Sequence, residues 1–159
     1  MRKAIKGKDF MIFVGGKAIA LATSHSLHVA AETSDTSTKD SGKWNNSEIT
    51  GMSWDASSEN FAGANAEQAV DISYKEVMKL FLAGEPVDII AGIPKNITPD
   101  GVPEEGWTVP ENQTGNQDHF KGKALITDVS MTAANKENAT FTVTLTGVEK
   151  LEIVEPATA

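Results

Sequence analysis

The sequence predicts a mainly β domain: an antiparallel β-sandwich or partly closed barrel with one α-helix packed on its flank, over about 72–83, and long loops. Three observations carry this. Residues 139–146 alternate apolar side chains (Ala139, Phe141, Val143, Leu145) with Thr140, Thr142, Thr144 and Thr146, the pattern of an antiparallel strand with one buried face. Only 72–82 combines helical spacing with a start and a stop signal. The order is strands, then helix, then strands. A single-layer sheet cannot bury its own face, so the helix and a second sheet must supply cover.

Taken in order, 10–14 is a short apolar strand, Gly15-Gly16 a two-residue turn that tolerates positive φ, and 18–22 its partner. His25, Leu27, Val29 and Ala31 then alternate with smaller or polar residues, so a strand with one buried face is expected. A polar stretch, 33–47, follows, whose one apolar residue is Trp44, and strand signals resume over 48–57 around Met52 and Trp54. Ser73 and Glu76 fit a capping box, Ile72 and Val77 a hydrophobic staple. Tyr74, Val77, Leu80 and Phe81 make the apolar stripe, and Gly84 and Pro86 end the helix. Residues 87–93 read as a buried strand, and 95–121 as a long loop or insertion rich in Pro, Gly, Asn and Asp. The last strands are expected at 123–133 and 139–147, with a short edge at 151–154. Residues 1–159 thus read as a single domain, and no tandem repeat is present.

Composition narrows the function. With no cysteine, disulfides and zinc–thiolate sites are excluded. The N-terminal apolar run is too short for a secretory signal, no stretch approaches a membrane span, and the four Asn-x-Ser/Thr sequences are then chance matches; synthesis in the cytoplasm is expected. A net charge of −8 argues against tight nucleic-acid binding, which needs clustered Lys and Arg.

No reaction is specified. His25 and His28, three apart on an expected strand, point to opposite faces and cannot share a metal or proton. His119, beside Asp118 in the long loop, reads as solvated surface. Gly15-Gly16 lies between strands and lacks the remainder of a P-loop, and Asp100-Gly101 lacks the alternating acidic ligands of a calcium loop. No catalytic, cofactor or metal residue is expected. Trp54 is placed in the core, and Trp107 either in the core or at a surface. Trp44 either folds back as a lid or anchors an interface, as aromatic hot spots do.

ETSDTSTKDSGKW at 32–44, GMSW at 51–54, GKDFMIFVGGKAIALATSHSLHVAAET at 7–33 and FKGKALITDVSMTAANKENATFTVTLTGVEKL at 120–151 together resemble the major tail tube proteins of long-tailed phages, in particular the lactococcal-siphophage-like group. The resemblance implies a β-rich fold related to the tubes of contractile tails and of the type VI secretion apparatus. It implies a non-enzymatic subunit of a phage or prophage tail, forming hexameric rings whose sheets join into one inner barrel. The implied partners are other copies of the chain and the tape-measure and tail terminator proteins, with DNA only as passing cargo and no membrane. In that family the long loop after the early strands reaches towards a neighbouring ring. Here that loop is 33–47, with Asp35, Thr36, Lys39, Asp40 and Trp44 as contact candidates. Residues 95–121 match no pattern of the family.

The residues agree with that picture in three ways. A Ser/Thr-rich loop cannot drive folding and suits ordering against a partner. Closing sheets from subunit to subunit removes exposed edges. Negative walls repel phosphate within a Debye length of about 8 Å. A secreted carbohydrate-binding or adhesin-like β-sandwich is the alternative; it needs exposed aromatics, which at 6% are scarce.

Overall fold

The computed structural model describes residues 4–63, 71–110 and 118–155. It contains strands β1 (Met11–Val14), β2 (Lys17–Ala18), β3 (Ala22–Asp35) and β4 (Ser47–Phe61), helix α1 (Tyr74–Ala83), then β5 (Val87–Gly92), β6 (His119–Thr132), β7 (Thr140–Gly147) and β8 (Glu152–Val154). All strands join one antiparallel sheet in the order β2-β1-β5-β6-β7-β4-β3, and β8 pairs with the start of β6. The sheet does not close: β2 and β3 are its two ends.

Side chains from near both ends of the sheet nevertheless meet. Ile12 and Val14 of β1, Trp54 and Ala56 of β4, and Phe141, Val143 and Leu145 of β7 share one core with Ile72 and Val77. The sheet therefore wraps around its apolar face, and the helix covers the remainder. Alternation along β7 produces this directly, because its apolar residues are buried while its threonines face outward.

Helix α1 starts two residues later than the spacing suggests. Ile72 is engaged as strand, with its N–H on the Ala18 carbonyl (2.9 Å) and its carbonyl accepting from Ala20 N–H (2.7 Å). Ser73 is the N-cap, its N–H donating to Glu76 Oε2 at 3.0 Å, and Gly84 closes the helix in the left-handed region (φ 70°, ψ 17°). Val77 is buried and Tyr74 and Leu80 half-buried, whereas Phe81, counted in the stripe, lies at the edge of solvent.

Three expectations need correction. Strand β3 has no buried residue; being an end strand, it has a neighbour on one side only, and His25 and Leu27 are merely half-buried. The polar segment 33–47 is shorter as a loop, because 33–35 and Ser47 are paired strand. His119 is not solvated surface: it opens β6 and is only 6% exposed, packed where Gly92 leaves room, since a Cβ on Gly92 would lie 2.7 Å from the His119 Cβ. Residues 119–121 accordingly belong to the sheet rather than to the long loop. Of that loop, 95–110 is knitted to itself by Asn96, whose Nδ2 donates to the Gly106 carbonyl (2.9 Å) and whose Oδ1 accepts from Thr108 N–H (2.9 Å). Residues 111–117 lie outside the described residues.

Trp54 is core, as expected, but its seat is built from glycine. Its indole lies over Gly122 of β6 and Gly147 of β7, and its Nε1–H donates to the Glu149 carbonyl at 2.7 Å. A Cβ on Gly122 would come within 2.6 Å of the ring, and one on Gly147 would come closer still, against Nε1 and Cε2.

Candidate functional site: an exposed arm and an open sheet face

Strands β3 and β4 pair continuously from Ala22 and Asn60 out to Asp35 and Ser47, with register shifts near each end. Strand β7 accompanies β4 only over Asp55–Phe61. Beyond Trp54 the two strands leave the sheet as a free two-stranded arm. Its residues are almost all exposed on both faces, including the apolar Ile49 and Met52 (75% exposed).

The tip, 36–46, is tied by its own hydroxyls and amides. Thr36 N–H donates to the Asn46 carbonyl (2.9 Å), Asn46 N–H to Ser37 Oγ (2.7 Å), Thr38 N–H to Ser41 Oγ (3.0 Å) and Asn46 Nδ2 to Ser41 Oγ (3.0 Å). Asp35 Oδ1 accepts from Ser37 N–H at 2.8 Å, and the Ser37 hydroxyl and amide hold that carboxyl below its ordinary range. Ser, Thr and Asn here replace ladder hydrogen bonds with local ones. The structure thus gathers all five candidates at the arm's end: Asp35 as the last residue of β3, Thr36 beginning the tip, Lys39 and Asp40 in a 3-10 turn, and Trp44 beyond it. Trp44 is 79% exposed and does not fold back.

A second surface escaped the sequence reading. Across β3, β4 and β7 the residues opposite the core form an uncovered hydroxyl-rich face: Ser24, Ser26 and His28, then Asp55, Ser57 and Glu59, then the four threonines of β7. Ser26 and Ser57 hydroxyls bond across strands at 2.6 Å, Thr127 of β6 meets Thr146 at 3.1 Å, and His28 Nδ1 lies 2.9 Å from Asp55 Oδ1. Asp128 stands at the β6 bulge on the same sheet. None of the three strands contains a Lys or Arg, so the face carries the Asp55 and Glu59 carboxylates and no permanent positive charge. The signal was available: three strand segments each free of basic residues in a chain with 14 of them.

No three His, Cys, Asp or Glu side chains converge among the described residues, and none of the described helices is long and apolar enough to cross a membrane.

As the end strand of the described sheet, β3 runs 14 residues, Ala22–Asp35, without Lys or Pro; Glu32, Asp35 and register shifts beside Ala22 and Glu32 interrupt it only near its two ends, leaving Ser24–Ala31 regular.

The family model described as phage tail tube protein matches residues 4–152. Among solved structures, the chain is similar to one from the tail of an empty gene transfer agent particle with C6 symmetry (19% identity, TM-score 0.63, covering 94% of this chain and 98% of that one). It is also similar to the SPP1 tail tube (10%, 0.66, 97% and 81%) and to a chain of the anti-feeding prophage baseplate (10%, 0.62, 98% and 97%). No match is found among curated proteins. With nearly the whole length matched by the family model and a sheet, arm and open edge that suit assembly, the chain belongs to the phage tail tube protein family and is a structural subunit of a tail tube.

Proposed function

We propose that six copies of the chain close into a ring, that rings stack into a tube, and that the open face of β3, β4 and β7 lines its bore. The observation that carries this is the charge of that face: Asp55 and Glu59 amid serines and threonines, with no Lys or Arg on the three strands. A wall of that kind stays wet and repels a phosphate backbone, so DNA slides without sticking. The edge of β3, regular over Ser24–Ala31, is the side on which a neighbouring subunit extends the sheet within the ring. The C6 symmetry of the similar gene transfer agent tail supports six as the number. Asp35, Thr36, Lys39, Asp40 and Trp44, gathered at the arm's end, are the contacts to the next ring. Tape-measure and tail terminator proteins are the further partners, and assembly takes place in the bacterial cytoplasm before the tube becomes part of the virion tail.

The test is electron microscopy of assembled tubes combined with DNA retention. The triple variant Asp55→Lys, Glu59→Lys, Asp128→Lys should still form tubes but hold DNA that the unaltered tube releases at the same ionic strength. Triple-variant tubes that release DNA as freely as unaltered ones, or a reconstruction with this face on the outside, would overturn the assignment.

A further inference from the structure

A cavity of about 500 Å³ lies at the foot of β3, the end opposite the arm. Its walls include Phe10, Ile19, Leu21, His25, Asp71 and Trp107. The volume lies within the roughly 300–1,000 Å³ of pockets that enclose organic groups, and the walls are mostly apolar with a few polar atoms, the usual make-up of such pockets.

Leu21 on its rim is unusual twice over. It is 58% exposed despite its size, and it sits in the left-handed region at φ 53°, where a residue with a branched side chain is strained. Its carbonyl accepts from Phe61 N–H at 3.1 Å, so that conformation is fixed by the sheet. A strained, exposed leucine at the mouth of a cavity marks a surface made to be covered. Burial lowers the proton affinity of the His25 ring beside it.

The occupant is indicated by the other end of the same strand. From His25 to Asp35 strand β3 runs about 33 Å at roughly 3.3 Å per residue, and Trp44 stands past that point with most of its indole in solvent. An arm at one end and a cavity at the other cannot meet within one subunit, but they meet when copies stack head to tail, the arrangement that generates an open-ended assembly. We infer that Trp44 of each subunit inserts into the cavity at the foot of β3 of a subunit in the adjacent ring. The indole packs against Phe10, Ile19, Leu21 and Trp107, and its N–H, a donor only, finds an acceptor in the Asp71 carboxylate. This rests on the arm being the inter-ring contact.

The chain has no cysteine, which makes site-directed cross-linking clean. Leu21→Cys carrying a benzophenone maleimide keeps Trp44 intact; in assembled tubes, irradiation should join position 21 to a peptide of the neighbour spanning 36–46. The double variant Leu21→Cys, Trp44→Cys should form disulfide ladders along the tube on oxidation, while either single variant gives none. Trp44 emission, isolated as the difference from Trp44→Phe, should shift to the blue on assembly. Hydrogen exchange of 30–52 separates the two levels of the idea. Protection of the arm on assembly with adducts elsewhere than 36–46 sinks the cavity assignment and leaves the arm's role intact. Absence of arm protection in tubes sinks both.

Discussion

The seat of Trp54 allows a quantitative test of what holds the arm to the body. In Gly147→Ala the new methyl overlaps the indole at Nε1 and Cε2, so the ring must shift from a position where it is 4% exposed. Forcing a side chain off its packing minimum in a filled core costs about 1–3 kcal/mol. Loss of the Nε1–H bond to the Glu149 carbonyl adds about 1 kcal/mol. Against this, Ala in place of Gly within a strand returns about 0.5–1 kcal/mol. The net expectation is a loss of about 2 kcal/mol, which for a chain of this size lowers Tm by roughly 4–8 °C. Urea unfolding followed by intrinsic fluorescence and far-UV circular dichroism measures it. The cycle with Trp54→Ala assigns the cause: that variant alone costs about 3–5 kcal/mol, and in its background Gly147→Ala should cost nothing. An equal cost of Gly147→Ala in both backgrounds, or a cost under about 0.5 kcal/mol in the unaltered chain, refutes the reasoning.

Two further effects follow from single groups. Ser73→Ala removes the N-cap of α1 and should cost about 1 kcal/mol by calorimetry, with the helix amides next to it exchanging faster. His25 binds its proton less well folded than unfolded, so its contribution is full above the ordinary value of 6.5 and is lost as pH falls through the lowered folded value. Stability should therefore fall on acidification below about pH 6.5, by at most about 1.4 kcal/mol per pH unit for one proton, and His25→Asn should flatten that part of the profile.

What the sequence disclosed depended on whether a residue's signal lies in its neighbours along the chain or across the sheet. Strand β7 and the caps of α1 are written locally, as alternation and as a capping box with a glycine stop, and strand, Ser73–Glu76 box and Gly84 stop stand where expected although the helix itself begins only at Tyr74. The seat of Trp54 is written across three strands: Gly122 and Gly147 look like weak points until Trp54 is laid over them. His119 misled for the same reason. The residue before it is the polar Asp118, but its place is set by Gly92 of the neighbouring strand, which leaves room for it through the fold. Strand β3 misled in the opposite direction, since its alternation is real but at the sheet's end there is too little beside it to complete a buried face. Among the candidate site residues, the arm's tip was legible as a polar segment containing one tryptophan, whereas the open acidic face appears only once β3, β4 and β7 are set in register.

The arm also changes the energetics of assembly from what its composition suggests. A Ser/Thr-rich segment of this length is expected to order only against a partner and to lose binding free energy in doing so. Instead β3 and β4 begin inside the sheet and carry their pairing outward past Trp54, and the tip closes on itself through Ser37, Ser41 and Asn46. An isolated two-stranded ribbon is marginal in water, but one whose root is anchored in a sheet inherits its register and twist from that root. Most of the ordering cost is then met when the subunit folds, and stacking one ring on the next has only side chains such as Trp44 left to immobilise. The register also sets Val29, Ala31, Ile49 and Met52, all exposed, on one face of the arm, an apolar stripe of the kind a partner covers. Rigidity before contact is thus supplied by the strand ladder and the hydroxyls of the tip, and that is why a segment so poor in core-forming side chains is built as strand rather than left as loop.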